Sequence, residues 1–171
     1  MSKVITTTER LIIREFNLTD TQAVFDFNSL EAVNRYTGDR CCTSLQDSEN
    51  IIRNVWLHEY EKFGFGRWAV ELKETGQVIG FCGFKNDSRI KLVDIGYRFL
   101  PEHWGKGIAT EAMQGCMEYA KTHMSLSYIV AEAVSTNQAS INVMLKLGFA
   151  FNKQYDDEGF TLSRYDITIN C

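Results

Sequence analysis

Residues 96–112 run Gly96-Tyr97-Arg98-Phe99-Leu100-Pro101-Glu102-His103-Trp104-Gly105-Lys106-Gly107-Ile108-Ala109-Thr110-Glu111-Ala112, and the fold turns on how this stretch divides. Leu92 to Leu100 reads as a strand and is stopped by Pro101, the only proline in the chain. Helical periodicity begins at Ile108, since Ile108, Ala112, Cys116 and Ala120 recur every four residues with Met113, Met117 and Met124 alongside. Between strand and helix lies a loop with glycines at 105 and 107. A helix N-terminus leaves backbone N–H groups unpaired and carries roughly half a positive charge, so it attracts anions. Glycines without β-carbons let a pyrophosphate approach the backbone closely, and Lys106 adds a further positive charge.

Outward from this stretch, Arg67 to Lys73 and Gln77 to Phe84 read as strands joined by a glycine-containing turn, Glu74-Thr75-Gly76. The β-branched run Arg10 to Phe16 predicts a first strand. Thr19-Asp20-Thr21-Gln22 matches a capping box with Thr19 as N-cap, followed by Ala23, Phe27 and Leu30 at helical spacing. Ser44-Leu45-Gln46-Asp47 matches a second, opening a helix that ends near Gly64. Downstream, Tyr128 to Val134 predicts a strand, Ser140 to Leu147 a helix closed by Gly148, and two strands surround Asp156-Asp157-Glu158-Gly159. The predicted order is β-α-α-β-β-β-α-β-α-β-β. Three hairpin-type strands exclude an all-parallel sheet, and the later β-α-β-α-β run excludes an all-β fold. The expectation is an α/β domain spanning 1–171, with a mixed, mostly antiparallel central sheet of seven strands flanked by helices.

Composition narrows the function. Eighteen Lys+Arg against twenty-two Asp+Glu give a net charge of −4, and Arg89-Ile90-Lys91 is the only dense basic cluster, so nucleic acid is not expected as a partner. No apolar run reaches signal-peptide or membrane-spanning length, so a cytoplasmic location without membrane contact is expected. The five cysteines, at 41, 42, 82, 116 and 171, lack the spacing of a metal site or disulfide framework and read as reduced thiols. No metal is expected.

Three anion-binding loops compete for residues 99–110. A P-loop requires Ser or Thr after Gly-Lys, but Gly107 follows Lys106. A dinucleotide fingerprint wants a small residue at Thr110 within an early βαβ unit, whereas this loop comes late, after antiparallel-looking strands. Gly96 to Ala112 resembles instead the pyrophosphate loop of the GNAT (GCN5-related) N-acetyltransferases. The stretch looks most like the branch of the ribosomal-protein N-terminal acetyltransferases, in which Trp is common at position 104. Two further signatures stand in register, Thr8-Glu9-Arg10-Leu11-Ile12-Ile13-Arg14 and Asn137-Gln138-Ala139-Ser140-Ile141 through Lys146-Leu147-Gly148-Phe149. Together they cover essentially the whole chain.

The resemblance implies acetyl-CoA as co-substrate, an amine as acceptor, and a sheet splayed between its fourth and fifth strands. It implies that the Phe99 and Leu100 backbone pairs with the pantetheine arm. Amides of Trp104, Gly105, Lys106, Gly107, Ile108, Ala109 and Thr110 would hold the pyrophosphate. Asn137 would bond the pantetheine, cap the last helix, or do both. Ser140 would lie near the sulfur. Lys146 would touch a nucleotide phosphate or stabilise the helix end, and the Trp104 side chain would pack. Related enzymes are monomers or homodimers, so a homodimer is one expectation.

Acetyl transfer needs a neutral amine, a stabilised oxyanion and a proton for the thiolate. The strand N–H near Phe99 suits the oxyanion. Asp94 and then Glu132 are the candidate bases. Many GNAT enzymes place a proton-donating tyrosine four residues before the Gly-Phe pair. Here Met144 stands there, and Ser140 or water must substitute. The acceptor is expected to be a protein N-terminal or similar amine, with a polyamine, amino sugar or toxic amine as the alternative. A non-catalytic acyl-CoA-binding protein is the reading from another class. Acceptor choice would lie in Phe25 to Gly66, which holds Tyr36, Arg40, Cys41, Cys42, Trp56 and Glu59.

Overall fold

The computed structural model describes residues 2–169; Cys171, among the thiols read above, lies outside them. The strands are β1 (Val4–Thr7), β2 (Leu11–Arg14), β3 (Arg67–Leu72), β4 (Val78–Asp87), β5 (Leu92–Phe99), β6 (Tyr128–Val134), β7 (Ala150–Asp157) and β8 (Phe160–Thr168). The helices are α1 (Thr21–Asn28), α2 (Glu31–Asn34), α3 (Leu45–Ile51), α4 (Leu57–Phe63), α5 (Ile108–His123) and α6 (Gln138–Lys146). The strands form one open sheet in the order β1-β2-β3-β4-β5-β6-β8-β7. There are eight strands among the described residues, one more than the sequence predicts. The extra one, β1, is four residues long and buries only Ile5, too little to show as a period-two pattern.

Every pairing is antiparallel except β5 with β6, which are parallel and registered at Asp94↔Val130 alone. Beyond that pair, residues 95–99 and 131–134 share no ladder, so the sheet opens into a V between its halves.

Of the two predicted capping boxes, one is present as read and one is not. Ser44 caps α3 as read, its hydroxyl accepting the Asp47 N–H at 3.2 Å while the Asp47 carboxylate accepts the Ser44 N–H at 3.1 Å. Thr19 caps nothing. Asn17 takes that place, accepting the Thr19 N–H (2.8 Å) while Asp20 accepts the Asn17 N–H (2.9 Å), which forms a capping box around a 3-10 turn at Leu18–Asp20. The second predicted helix is α3 and α4 joined through a π segment, Ile52–Trp56, and Gly64 ends it at φ 75°.

The sheet buries both faces. Strand alternation sends Trp68, Phe84, Ile95 and Phe99 to one face, against Met113 and Cys116 of α5 and Ile141 and Met144 of α6. The other face packs Phe81 and Leu100 against Phe27 of α1 and Trp56, which stacks on Phe16 at 4.2 Å. Cys82 and Cys116 are fully buried thiols with their sulfurs 3.3 Å apart. Tyr97 therefore faces α5 and α6, while Asp94 and Arg98 face α1 and α4.

Candidate active site

The strand–loop–helix read from the sequence lies at the mouth of the V. Gly105 and Gly107 both adopt left-handed backbone, φ 69° and 76°. Gly107 is the N-cap of α5 and supplies no side chain to close the first turn. Among the described residues, the N–H groups of Gly105, Lys106, Gly107, Ile108, Ala109 and Thr110 have no hydrogen-bond partner. Six unpartnered donors at the positive end of a 16-residue helix make an anion cradle. The Trp104 amide does not join it: its N–H closes the 3-10 turn onto the Pro101 carbonyl at 3.1 Å. Trp104 as a residue is 49% exposed, and its indole donates through Nε1 to the Phe99 carbonyl at 2.8 Å.

The adjoining edge of β5 divides by residue. Leu100 donates its N–H to the Ile79 carbonyl at 2.9 Å, so its amide is spent on β4 and cannot pair with a ligand in the V. In an antiparallel ladder successive residues turn their polar groups to opposite sides, so Phe99 turns its N–H and C=O into the gap. That N–H is a donor facing the open gap, five residues beyond the single β5–β6 pairing at Asp94.

Asn137 is the N-cap of α6, accepting the Ser140 N–H at 3.3 Å, and lies at the same end of the V. Ser140 is half-buried, and its hydroxyl lies 2.8 Å from the Tyr97 hydroxyl, which also donates to the Ser140 carbonyl at 3.1 Å. Burial pushes the Tyr97 phenol up to about 12, against the opposing pull of its bond to Ser140, so it remains a donor throughout the neutral range. Met144 is 2% exposed and belongs to the core. Lys146 is exposed at the opposite end of α6, where its charge complements the helix dipole.

The two candidate bases differ sharply. Glu132 accepts from Arg164 (2.7 Å), from Arg89 (2.9 Å) and from the Tyr155 hydroxyl. Burial resists its ionisation, but Tyr155 and the two arginines hold it below the usual carboxylate range. A carboxylate bound that fully is a poor proton acceptor, which sets Glu132 aside as a base. Among the described residues the Asp94 carboxylate bonds only Arg67, at 3.2 Å. Burial pushes its carboxyl up, partly offset by Arg67. Glu59 of α4 is likewise pushed up by burial and offset by Arg67, and its Oε2 is buried without a partner.

A family model for the acetyltransferase (GNAT) domain matches residues 10–150. The uncharacterized N-acetyltransferase YoaA of Bacillus subtilis (strain 168) is 34% identical over 143 residues, 83% of this chain and 80% of that protein. The chain belongs to the GNAT acetyltransferases. A GNAT-family acetyltransferase from Bacillus anthracis superposes with a TM-score of 0.82 at 25% identity, covering 95% of this chain and 97% of the other. RimL, a ribosomal L7/L12 α-N-protein acetyltransferase solved with coenzyme A, superposes with a TM-score of 0.83 over 98% of each chain. At 16% identity that second likeness is one of fold.

The mixed, mostly antiparallel sheet flanked by helices is thus the GNAT architecture. Two site features of this GNAT chain escaped the sequence. Tyr97 stands in the quoted motif, but its meeting with Ser140 joins residues 43 apart. Arg67 sits among ordinary strand residues, and only the β3–β4–β5 register carries it to Asp94. Among the described residues no helix is long and apolar enough to cross a membrane, and no group of His, Cys, Asp or Glu side chains has the arrangement of a metal site.

Proposed function

We propose that this chain binds acetyl-CoA along the open edge of β5 and transfers the acetyl group to a primary amine, with protein N-terminal amines as the first acceptor class. The observation that carries the reading is the row of six unpartnered N–H groups from Gly105 to Thr110 beside the unpaired edge at Phe99. These donors suit a pyrophosphate. The V suits a narrow arm that hydrogen-bonds like a strand, and Asn137 stands at its mouth. When bound, acetyl-CoA supplies an activated acyl carbon on a thioester.

The residues divide the remaining work. Asp94 lies five residues before Phe99 on β5, roughly 16 Å along the strand. It therefore takes the proton from the acceptor ammonium through intervening water, and its raised affinity for protons makes it the stronger base. The Phe99 N–H donates to the carbonyl oxygen as charge develops there. The Ser140 hydroxyl donates a hydrogen bond to the departing thiolate once the Tyr97 phenol turns its one proton from the Ser140 carbonyl to the Ser140 Oγ, 2.8 Å away, and so orients that hydroxyl. An α-amine, with a reference pKa of about 7.7–8.0 against about 10.4 for lysine, asks least of a carboxylate base.

The test is an acceptor screen following thiol release from acetyl-CoA, with ribosomal-protein N-terminal peptides, polyamines and amino sugars as acceptors. The expected result is peptide-dependent release. Release with only small amines would move the acceptor class. Tight acetyl-CoA binding with no release for any amine would favour a non-catalytic binding protein.

A further inference from the structure

The anion cradle has little support of its own: a β-carbon at Gly105 would meet no atom within 4 Å. What holds it comes from the other end of the chain. The turn between β1 and β2 is closed by the Thr8 N–H on the Leu11 carbonyl (3.0 Å) and presents Arg10 to α5. Arg10 donates through Nη1 to the Lys106 carbonyl (2.9 Å) and through Nε to Glu111 Oε2 (2.6 Å). Its backbone N–H donates to Glu111 Oε1 (2.8 Å), which also accepts from the Thr8 hydroxyl (2.6 Å). The helix seats close to this turn because residue 115 is glycine; a β-carbon there would lie 2.9 Å from Thr8 Cγ2.

Two consequences follow for the cradle. A trans peptide is planar, with C=O and N–H pointing opposite ways. Holding the Lys106 carbonyl on Arg10 therefore fixes the direction of the Gly107 N–H, one of the six donors. Glu111, meanwhile, places a negative charge one helical turn from Gly107 and directly after Thr110, the last of the six donors. Burial resists its ionisation, but the Thr8 hydroxyl and Arg10 hold it below the usual range, so it is charged at neutral pH. Unbalanced, that charge would repel an incoming phosphate. Arg10 balances it.

We propose that Arg10 is a positioning residue for the pyrophosphate of acetyl-CoA, acting by aiming the Lys106–Gly107 peptide and by cancelling the charge of Glu111. The proposal rests on the reading that the loop binds acetyl-CoA. It assigns a task to the Thr8–Arg14 signature, which the chemistry of acetyl transfer leaves without one.

The test compares Arg10→Gln and Arg10→Lys with the unaltered chain in equilibrium binding of acetyl-CoA. It also compares kcat/KM for acetyl-CoA with that for S-acetyl-pantetheine, which lacks the pyrophosphate and nucleotide. Arg10→Gln is expected to weaken acetyl-CoA binding by about tenfold to a hundredfold, the scale of one charged hydrogen bond. The preference for acetyl-CoA over acetyl-pantetheine should fall by a similar factor. Arg10→Lys keeps the charge but not the planar fork, and should recover only part of the loss. Adding Glu111→Gln to Arg10→Gln should also recover part of it. Should Arg10→Gln fail to fold, the donor preference of Arg10→Lys carries the same test, with a drop of about threefold to tenfold expected. Unchanged affinity, or equal losses with both donors, would overturn the proposal. An unaltered chain that does not bind acetyl-CoA would overturn the functional reading itself, whereas normal binding with an unaffected Arg10→Gln removes only the role of Arg10.

Discussion

On the proposed mechanism, the Tyr97–Ser140 contact sets the hydrogen bond offered to the sulfur in a chain whose position 144 is methionine. Tyr97 has no cation beside it to stabilise a phenolate, and its proton is held up to about 12, so it orients rather than ionises. Ser140→Ala should lower kcat by about tenfold to a thousandfold while changing acetyl-CoA affinity little. Tyr97→Phe should lower kcat less and add almost nothing to Ser140→Ala, because the two act as one unit; additive losses in that cycle would separate them. Met144→Tyr should not rescue either variant. The side chain is buried in the core, so the larger ring costs about 1–3 kcal/mol of packing and brings no phenol into the V. Asp94 makes the second residue-scale prediction. With its proton affinity raised by burial, activity should grow with pH through a value above the ordinary carboxylate range. Arg67 opposes that shift, so Arg67→Gln should move the acid limb of kcat/KM to still higher pH. A limb that stays in place in Arg67→Gln, or survives Asp94→Asn unchanged, would remove Asp94 as the base.

At the scale of elements, the sheet halves meet at Asp94↔Val130 and are clamped next to it by charges. Arg89, in the turn after β4, reaches Asp157 at the end of β7 and Glu132 on β6, and Arg164 on β8 takes the other oxygen of Glu132. Glu132 and Arg164 are 10% and 12% exposed at their side chains, so removing the carboxylate strands a largely buried cation. Glu132→Gln should cost about 3 kcal/mol, seen as a fall in Tm of roughly 6–12 °C. The sign with pH is settled by the depressed folded pKa of Glu132. Its contribution is present above the unfolded value and lost as pH falls through the folded one, so the gap to the variant should close below about pH 4. A gap that widened in acid would refute the clamp. Such long-range pairings mark where sequence reading stops. Periodicity and caps located α5, α6 and β3 to β6 because each is long enough to repeat a pattern. The four-residue β1 was not, and the Asn17 cap was hidden by a competing Thr19 two residues on. The glycine loop was legible because its chemistry is local. Tyr97, Arg67 and Arg10 were not, since their partners lie 43, 27 and up to 101 residues away.

Across the whole molecule, the two halves of the sheet share one parallel pair and one charge clamp but no strand ladder at the far end, where the cradle, Phe99 and Asn137 lie. A ligand that occupies both the cradle and the V restores the missing bridge, and binding then shows as stability of both halves together. Acetyl-CoA at a hundredfold excess over its dissociation constant should stabilise the fold by about 2.7 kcal/mol. For a chain of 171 residues, that is a rise in Tm of roughly 5–11 °C. Amide exchange should slow jointly at residues 99–110 and in the first turn of α6, although they lie on different halves. NAD carries a pyrophosphate and ATP a triphosphate, so both can offer anions to the same donors. Neither has a pantetheine arm to fill the gap between β5 and β6, and each should protect the first turn of α5 without reaching α6. Gly107→Ala separates the cradle from the V. Its φ of 76° is strained for alanine, so the variant loses about 1–2 kcal/mol of stability by itself, and the added carbon narrows the approach to the N–H groups. The stabilisation by acetyl-CoA should then shrink by more than that strain explains. A Tm shift from NAD as large as that from acetyl-CoA, with exchange slowed on α5 alone in both cases, would mean that the glycine loop is a general phosphate site and that the V holds nothing.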